Sequence, residues 1–295
     1  MKTTRAGMLI VVLMALSVVA CADSRFERTM PLAPGGRFEL QADTGSVTVR
    51  GSSGSSATIV VTSNRDDIQS LFNFDFRSSE GLVQVTAKKK TFQWFSNVNL
   101  HFDVTVPSQT SVSIKTAGGS IDVSSLEGGQ DLHTSGGSIG AADVQGNVMA
   151  RTSGGSIKVQ NVKGDSDLGT SGGGITANSL QGTLIAHTSG GSIHIEGLTG
   201  RVDAHTSGGS IQATLARGNS QGGQLGTSGG SIRVGVDPSA NLNLDAATSG
   251  GSVSTDMSVR VQGEMSHSKL RGTLGSGGES LVLRTSGGSI RIVPD

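Results

Sequence analysis

The sequence predicts an all-β protein: a parallel β-solenoid, or β-helix, of about 18-residue coils, preceded by an irregular β-rich capping module. Three observations carry this. The hexapeptide Thr-Ser-Gly-Gly-Ser-Ile begins at Thr134, Thr152, Thr188, Thr206, Thr227 and Thr285, with near copies at Thr116, Thr170 and Thr248. From Thr116 to Thr206 each start follows the last by 18 residues, and then come steps of 21, 21 and 37. So short and regular a period is the mark of stacked repeats. Between the hexapeptides the aliphatic residues sit two apart, and no three-four helical pattern competes.

Counting the threonine as position one, the repeat places aliphatic residues at positions six, eight and eleven. A glycine stands at thirteen, with small or aliphatic residues at fifteen and seventeen. One coil reads Ile193, Ile195, Leu198, Gly200, Val202 and Ala204. Each coil is therefore two short strands and two corners. The Gly-Gly pair is expected to supply positive φ at one corner and the thirteenth glycine at the other. A single coil buries too few side chains to offset its backbone entropy, so stability belongs to the array. The nine copies would build a rod on the order of 40 Å at about 4.8 Å per layer.

Residues 1–20 have the layout of an export signal. Lys2 and Arg5 lead into an apolar run from Met8 to Val19 that is short for a membrane span. Cys21 is the only cysteine, so the chain has no intramolecular disulfide to draw on. Without Lys2 and Arg5, 21 basic and 23 acidic residues remain. That balance favours neither nucleic acid nor an anionic surface.

Residues 21–33 read as a tether and residues 34–110 as the irregular β-rich module. All eight phenylalanines and the one tryptophan lie between Phe26 and Phe102. Most are expected in the core, with Phe72, Phe74 and Phe76 on one strand face. Phe92, Trp94 and Phe95 cannot all face one way on a strand, which makes them candidate binding residues. Asp43-Thr44-Gly45-Ser46-Val47 is a worn copy of the repeat corner, so stacking is expected to start there. Residues 111–295 form the solenoid, with an irregular segment at 254–284 that is either two worn coils or one coil with a projecting hairpin. Pro294 suits a terminal stop, having no N–H to offer a further strand.

The chemistry sought in the repeats is sparse. The corners lack the aspartates of calcium-binding β-rolls. Position eighteen carries His133, Arg151, His187 and His205, and position sixteen carries Asp131, Asp167 and Asp203 with Met149 and Ile185 between them. His187, His205 and Asp203 are the candidate metal ligands. The plainer reading is an exposed face whose carboxylates are spaced every second layer because like charges repel, so no metal and no other cofactor is expected. No Ser-His-Asp or Cys-His set, no matched pair of carboxylates and no phosphate loop stands out, so no catalytic residue is assigned.

Two resemblances add to this. Val18-Val19-Ala20-Cys21 resembles a bacterial lipobox, which implies cleavage before Cys21, lipidation of its thiol and, with Ala22 next, the outer membrane of a Gram-negative cell. Residues 25–295 resemble a bacterial adhesin-type β-strand-repeat family of unknown function, DUF4097-like. The shared features are an aromatic β-rich lead, Val106-Pro107, and hexapeptide coils alternating with Leu-x-Gly turns such as Leu180-Gln181-Gly182. That resemblance implies the fold and an envelope location, and no activity.

The expected function is a non-catalytic, lipid-anchored adhesin or scaffold. Its ligand patch is expected at Phe92 to Phe95 or on the late irregular segment. Its partners are the membrane, through the anchor, and an envelope glycan or protein, with no nucleic acid. The alternative is a carbohydrate-active β-helix enzyme, a lyase or hydrolase.

Overall fold

The structure is a computed structural model that describes residues 25–90, 98–262 and 265–295. Cys21, Phe92, Trp94 and Phe95 lie outside the described residues. The described chain forms two sheets, one of 13 strands and one of 14. Each coil gives one strand to each sheet, as Ile157–Lys163 and Ser166–Gly169 do, and through the repeats the neighbours are parallel strands one coil apart.

The core lies between the sheets in unbroken columns. Ile121, Ile139, Ile157, Ile175, Ile193, Ile211, Ile232 and Ile290 sit in register. Each is at most 1% exposed. Identical side chains one above another share one rotamer and fill each other's gaps, so a single packing solution repeats along the rod.

The spacing of six, eight and eleven contains an odd step that alternation alone would turn outward. The structure resolves it with a bulge. Ser125, Asp143, Asn161 and Ser179, all at position ten, have φ of 58°, 55°, 53° and 56°. The pairing runs Ala142↔Gln160 and then Val144↔Val162, passing over the residue between. One left-handed residue returns the next aliphatic side chain to the core, and Ser, Asp and Asn tolerate that conformation better than most.

The hexapeptide corner works differently from the expectation. Gly119 has φ of +107°, but the later Gly-Gly pairs do not adopt the left-handed region. Glycine is required there by close approach. A Cβ on Gly155 would lie 2.1 Å from the carbonyl oxygen of Gly137 in the coil before, and one on Gly173 would lie 2.1 Å from that of Gly155. The thirteenth glycine does take positive φ at Gly146, Gly164 and Gly182.

The other hexapeptide residues also have roles. Each threonine is nearly buried, and its Oγ1 donates to a glycine carbonyl of the neighbouring coil, as Thr152 does to Gly137 (2.8 Å) and Thr188 to Gly173 (2.8 Å). The same oxygen accepts from the second glycine N–H of its own corner. The fifth-position serines form a ladder in which Ser138 N–H donates to Ser120 Oγ (3.3 Å) and Ser156 N–H to Ser138 Oγ (3.2 Å).

Both ends of the stack depart from chain order. The strands Arg37–Ala42 and Ser46–Ser52 form a coil, as the worn corner at Asp43 to Val47 suggested. It lies between the coil at residues 111–126 and the strands Leu82–Lys89 and Leu100–Pro107. Antiparallel strands complete that end: Arg25–Pro31 on Ser56–Ser63, and Phe72–Ser79 on Leu82–Lys89. Phe26 meets Phe74 edge-on at 5.0 Å and Phe76 at 6.0 Å, so the aromatic face bridges the two sheets where the aliphatic columns stop. Phe38, Phe72 and Phe102 are buried.

At the other end the 37-residue step is one coil plus a hairpin. Lys269–Leu274 runs antiparallel to Leu242–Thr248 and carries the short strand Arg260–Val261. The chain then returns, and Glu279–Thr285 and Ile290–Pro294 insert between the coils at residues 223–236 and 242–255. Pro294 therefore stops a strand inside the stack and not at its tip. It opposes Val236 on one side, while on the other the neighbouring strand ends at Thr255, paired with Ile292. The ladder on that side stops after Asp256 N–H bonds to Ile292 O, where Pro294 has no N–H to continue it.

Candidate binding face

The outward face of the 14-stranded sheet carries two in-register columns. The first runs Glu39, Ser113, Asp131, Met149, Asp167, Ile185, Asp203. The second runs Gln41, Lys115, His133, Arg151, Gly169, His187, His205 along the same strands. Both follow from alternation, since positions sixteen and eighteen flank the inward seventeenth residue.

Each carboxylate of the first column lies beside an arginine or a histidine. Arg37 Nε donates to Glu39 (2.6 Å), and Asp131 and Asp203 contact His133 Nε2 (2.7 Å) and His205 Nδ1 (2.8 Å). Hydrogen bonds from Gln84 and then Arg37 hold the Glu39 carboxyl below its ordinary pKa. Arg151 lies along the rod, donating through Nη1 to the Asp167 carbonyl (2.7 Å) and through Nη2 to the Asp167 carboxylate. Gly169 makes room for it, because a Cβ there would stand 2.9 Å from Arg151 Cδ. Arg284 repeats the arrangement on Asp245, at 2.6 Å to the carbonyl and 2.7 Å to the carboxylate. Arg37, Arg151 and Arg284 thus form ion pairs with Glu39, Asp167 and Asp245 along the sheet.

Met149 and Ile185 remain exposed between the carboxylates, at 45% and 36%. They line a trough of about 550 Å³ with Asp131, Asn147, Asp167 and Thr183. A second hollow of about 540 Å³ continues it over Glu39, Asp75, Gln84 and Lys115. Three oxygens along the trough residues, Gln130 Oε1, Ser166 Oγ and Asp167 Oδ1, are buried without a hydrogen-bond partner.

Of the candidate metal ligands, His187 and His205 stack at 5.5 Å and 24°, and Asp203 pairs with His205. Among the described residues no group of three His, Cys, Asp or Glu is placed to hold a metal ion. Asp165, on the same strand face as Asp167, accepts the Thr183 N–H at the corner (2.7 Å), so both carboxylates are already engaged in holding the coils. The late irregular segment exposes Val261 and Met265. The sequence shows the alternation of Asp131, Met149, Asp167, Ile185 and Asp203. The trough lies along that same alternation, walled by Asn147, Asp165 and Thr183 at position fourteen of successive coils.

Fold and face together define a two-sheet parallel β-solenoid with an ion-paired, partly apolar outer surface. The family model described as Toastrack DUF4097 matches residues 37–293, and the chain belongs to that family. Solved structures are similar to it at low identity. A candidate lipid-binding protein from Parabacteroides distasonis is 12% identical, with 91% of this chain and 96% of that one covered and a TM-score of 0.48. Candidate adhesins from Parabacteroides merdae and Bacteroides fragilis are each 12% identical. They cover 92% and 91% of this chain and 97% and 96% of their own, with TM-scores of 0.42 and 0.36. No curated protein matches the chain.

Proposed function

We propose that the protein is a non-catalytic, lipid-anchored rod of the bacterial envelope that offers the outer face of its 14-stranded sheet as a binding surface. The observation that carries this is the trough itself. It is open, Arg151 pairs with the Asp167 on its wall, and two large apolar side chains are left uncovered in it. Exposed apolar groups within a polar frame mark recognition surfaces.

The proposed anchor rests on the lipobox-like Cys21. Arg25–Pro31 is the outermost strand of its sheet. The few residues from Cys21 to Arg25 reach at most about 14 Å, so a lipid on Cys21 holds that end of the rod at the membrane and the coils stand away from it. Among the described residues no helix is long and apolar enough to cross a membrane.

Two measurements test this reading. Purified residues 22–295 incubated with isolated envelopes should be retained saturably without releasing products, and turnover of an envelope glycan would replace this reading with the carbohydrate-active one. Cys21→Ala should release the full chain from membranes. Unchanged membrane association would reject the anchor.

A further inference from the structure

We propose that the corner of the rod where the chain enters the stack, with Lys88, Lys89 and Lys90 at its edge, sits on an anionic lipid surface and so orients the rod. This rests on the lipid-anchor part of the reading above and adds a second contact to it.

Arg25 is paired with Thr62, Thr62 with His101, and His101 with Ser46, so the anchored end of the chain stands at the Asp43 to Ser46 corner. The lysines leave the opposite sheet at that same corner. Ala87 pairs with Ala42, the Lys89 N–H donates to Asp43 Oδ2 (2.9 Å), and the Lys90 N–H donates to the Leu71 carbonyl (2.9 Å). A lipid on Cys21 is at most about 14 Å of chain from Arg25, which keeps this corner, and not the far hairpin, at the bilayer. The strand Leu82–Lys89 is one strand in from the edge of its sheet. That step is about 4.8 Å, and a lysine side chain spans it.

The chain as a whole is nearly balanced in charge, but Lys88-Lys89-Lys90 is its only run of three like charges. All three lysines are exposed, and among the described residues no carboxylate pairs with their amines. The Lys90 amine donates to the Gln69 carbonyl (2.7 Å). Arg25 and Arg65 at this end are taken up by Glu27 and Asp67, which leaves the three lysines beside Asp43 and Asp66. Along the rest of the rod the sign reverses, with 15 Asp and Glu against 12 Lys and Arg in residues 98–295. An anionic surface therefore attracts the anchored corner and repels the coils. An acyl anchor and a basic patch together hold a membrane stably where either alone is weak.

The test is sedimentation of residues 22–295, which carry no cysteine and so no lipid, with vesicles of phosphatidylcholine alone or of phosphatidylcholine and phosphatidylglycerol in equal parts. At low ionic strength the protein should bind the mixed vesicles and not the neutral ones, and raising salt to the physiological range should release it. Since each lysine near such a surface contributes about fivefold, Lys88→Ser, Lys89→Ser and Lys90→Ser together should weaken binding about a hundredfold with the circular-dichroism spectrum unchanged. Lys158→Ser with Lys163→Ser, exposed in mid-rod, should leave binding intact, and excess glycerol phosphate should not compete. Equal binding to neutral vesicles, no binding to mixed vesicles at low salt, displacement by glycerol phosphate, or unchanged affinity of the triple variant would each overturn the proposal. Because the protein tested lacks Cys21, its failure rejects the basic contact and leaves the anchor. Cys21→Ala retained on membranes at physiological salt rejects the anchor and leaves the vesicle result standing.

Discussion

Gly155→Ala tests the close stacking of the hexapeptide corners, and Gly154→Ala beside it is the control. A Cβ on Gly155 would stand 2.1 Å from Gly137 O, 2.4 Å from Gly137 C and 2.6 Å from Ser138 N. An ordinary carbon-to-oxygen contact is about 3.3 Å, so the corner would have to open by about 1.2 Å. Opening it stretches the Thr152 bond to Gly137 O (2.8 Å) and the Ser156 bond to Ser138 Oγ (3.2 Å) beyond bonding range. Two bonds at about 1 kcal/mol each, with overpacking strain of about 1 to 3, give a loss of about 3 to 5 kcal/mol.

A Cβ on Gly154, by contrast, meets Gly136 O at 3.4 Å. Alanine there should change stability by no more than about 0.5 kcal/mol. The assay is urea unfolding followed by circular dichroism. At an m-value of about 3 kcal/mol/M, Gly155→Ala should lower the midpoint by about 1 M or more, and amide exchange should show the opening centred on residues 134–157. Equal midpoints for the two variants would refute the claim that layer contact, and not backbone freedom, fixes the second glycine.

Thr188→Val keeps shape but removes the hydroxyl that donates to Gly173 O and accepts from Gly191 N. It should cost about 1 to 3 kcal/mol by thermal or urea unfolding, and Thr188→Ser should recover most of that. Ser179, at φ of 56°, should accept glycine without loss, whereas Ser179→Val should destabilise by about 1 to 2 kcal/mol. Burial works against ionisation of Asp245, but the hydrogen bond and charge of Arg284, with Arg271, hold its carboxyl below the ordinary value. Its contribution is therefore complete above the ordinary carboxylate range and is lost as pH falls through the lowered pKa. Asp245→Asn should cost about 0.5 to 1 kcal/mol at pH 7 and progressively less in acid. A gap between the two proteins that stays constant down to low pH would count against the ion pair.

Much of the rod was legible in the sequence because a repeat reports its own packing. Ile139 and Ile157 stand 18 residues apart and one layer apart, so the column, the two strands per coil and the outward Asp and His positions could all be read from period and alternation. The bulge was legible in principle as well. The odd step before position eleven, with Ser125, Asp143, Asn161, Ser179 and Gly197 just ahead of it, is the signature of a left-handed residue. The reason for the second glycine was hidden, because positive φ and close approach leave the same letter.

The sequence by itself determined the local unit: which residues face inward, where the corners fall, and that coils must stack to be stable. The tertiary structure alone decided the order of stacking at the ends. There the strands Arg37–Ala42 and Glu279–Thr285 insert between coils that lie elsewhere in the chain. The physical reason is that period and alternation are short-range properties, written within one coil and repeated. Which strand edge pairs with which depends on contacts between residues far apart in sequence.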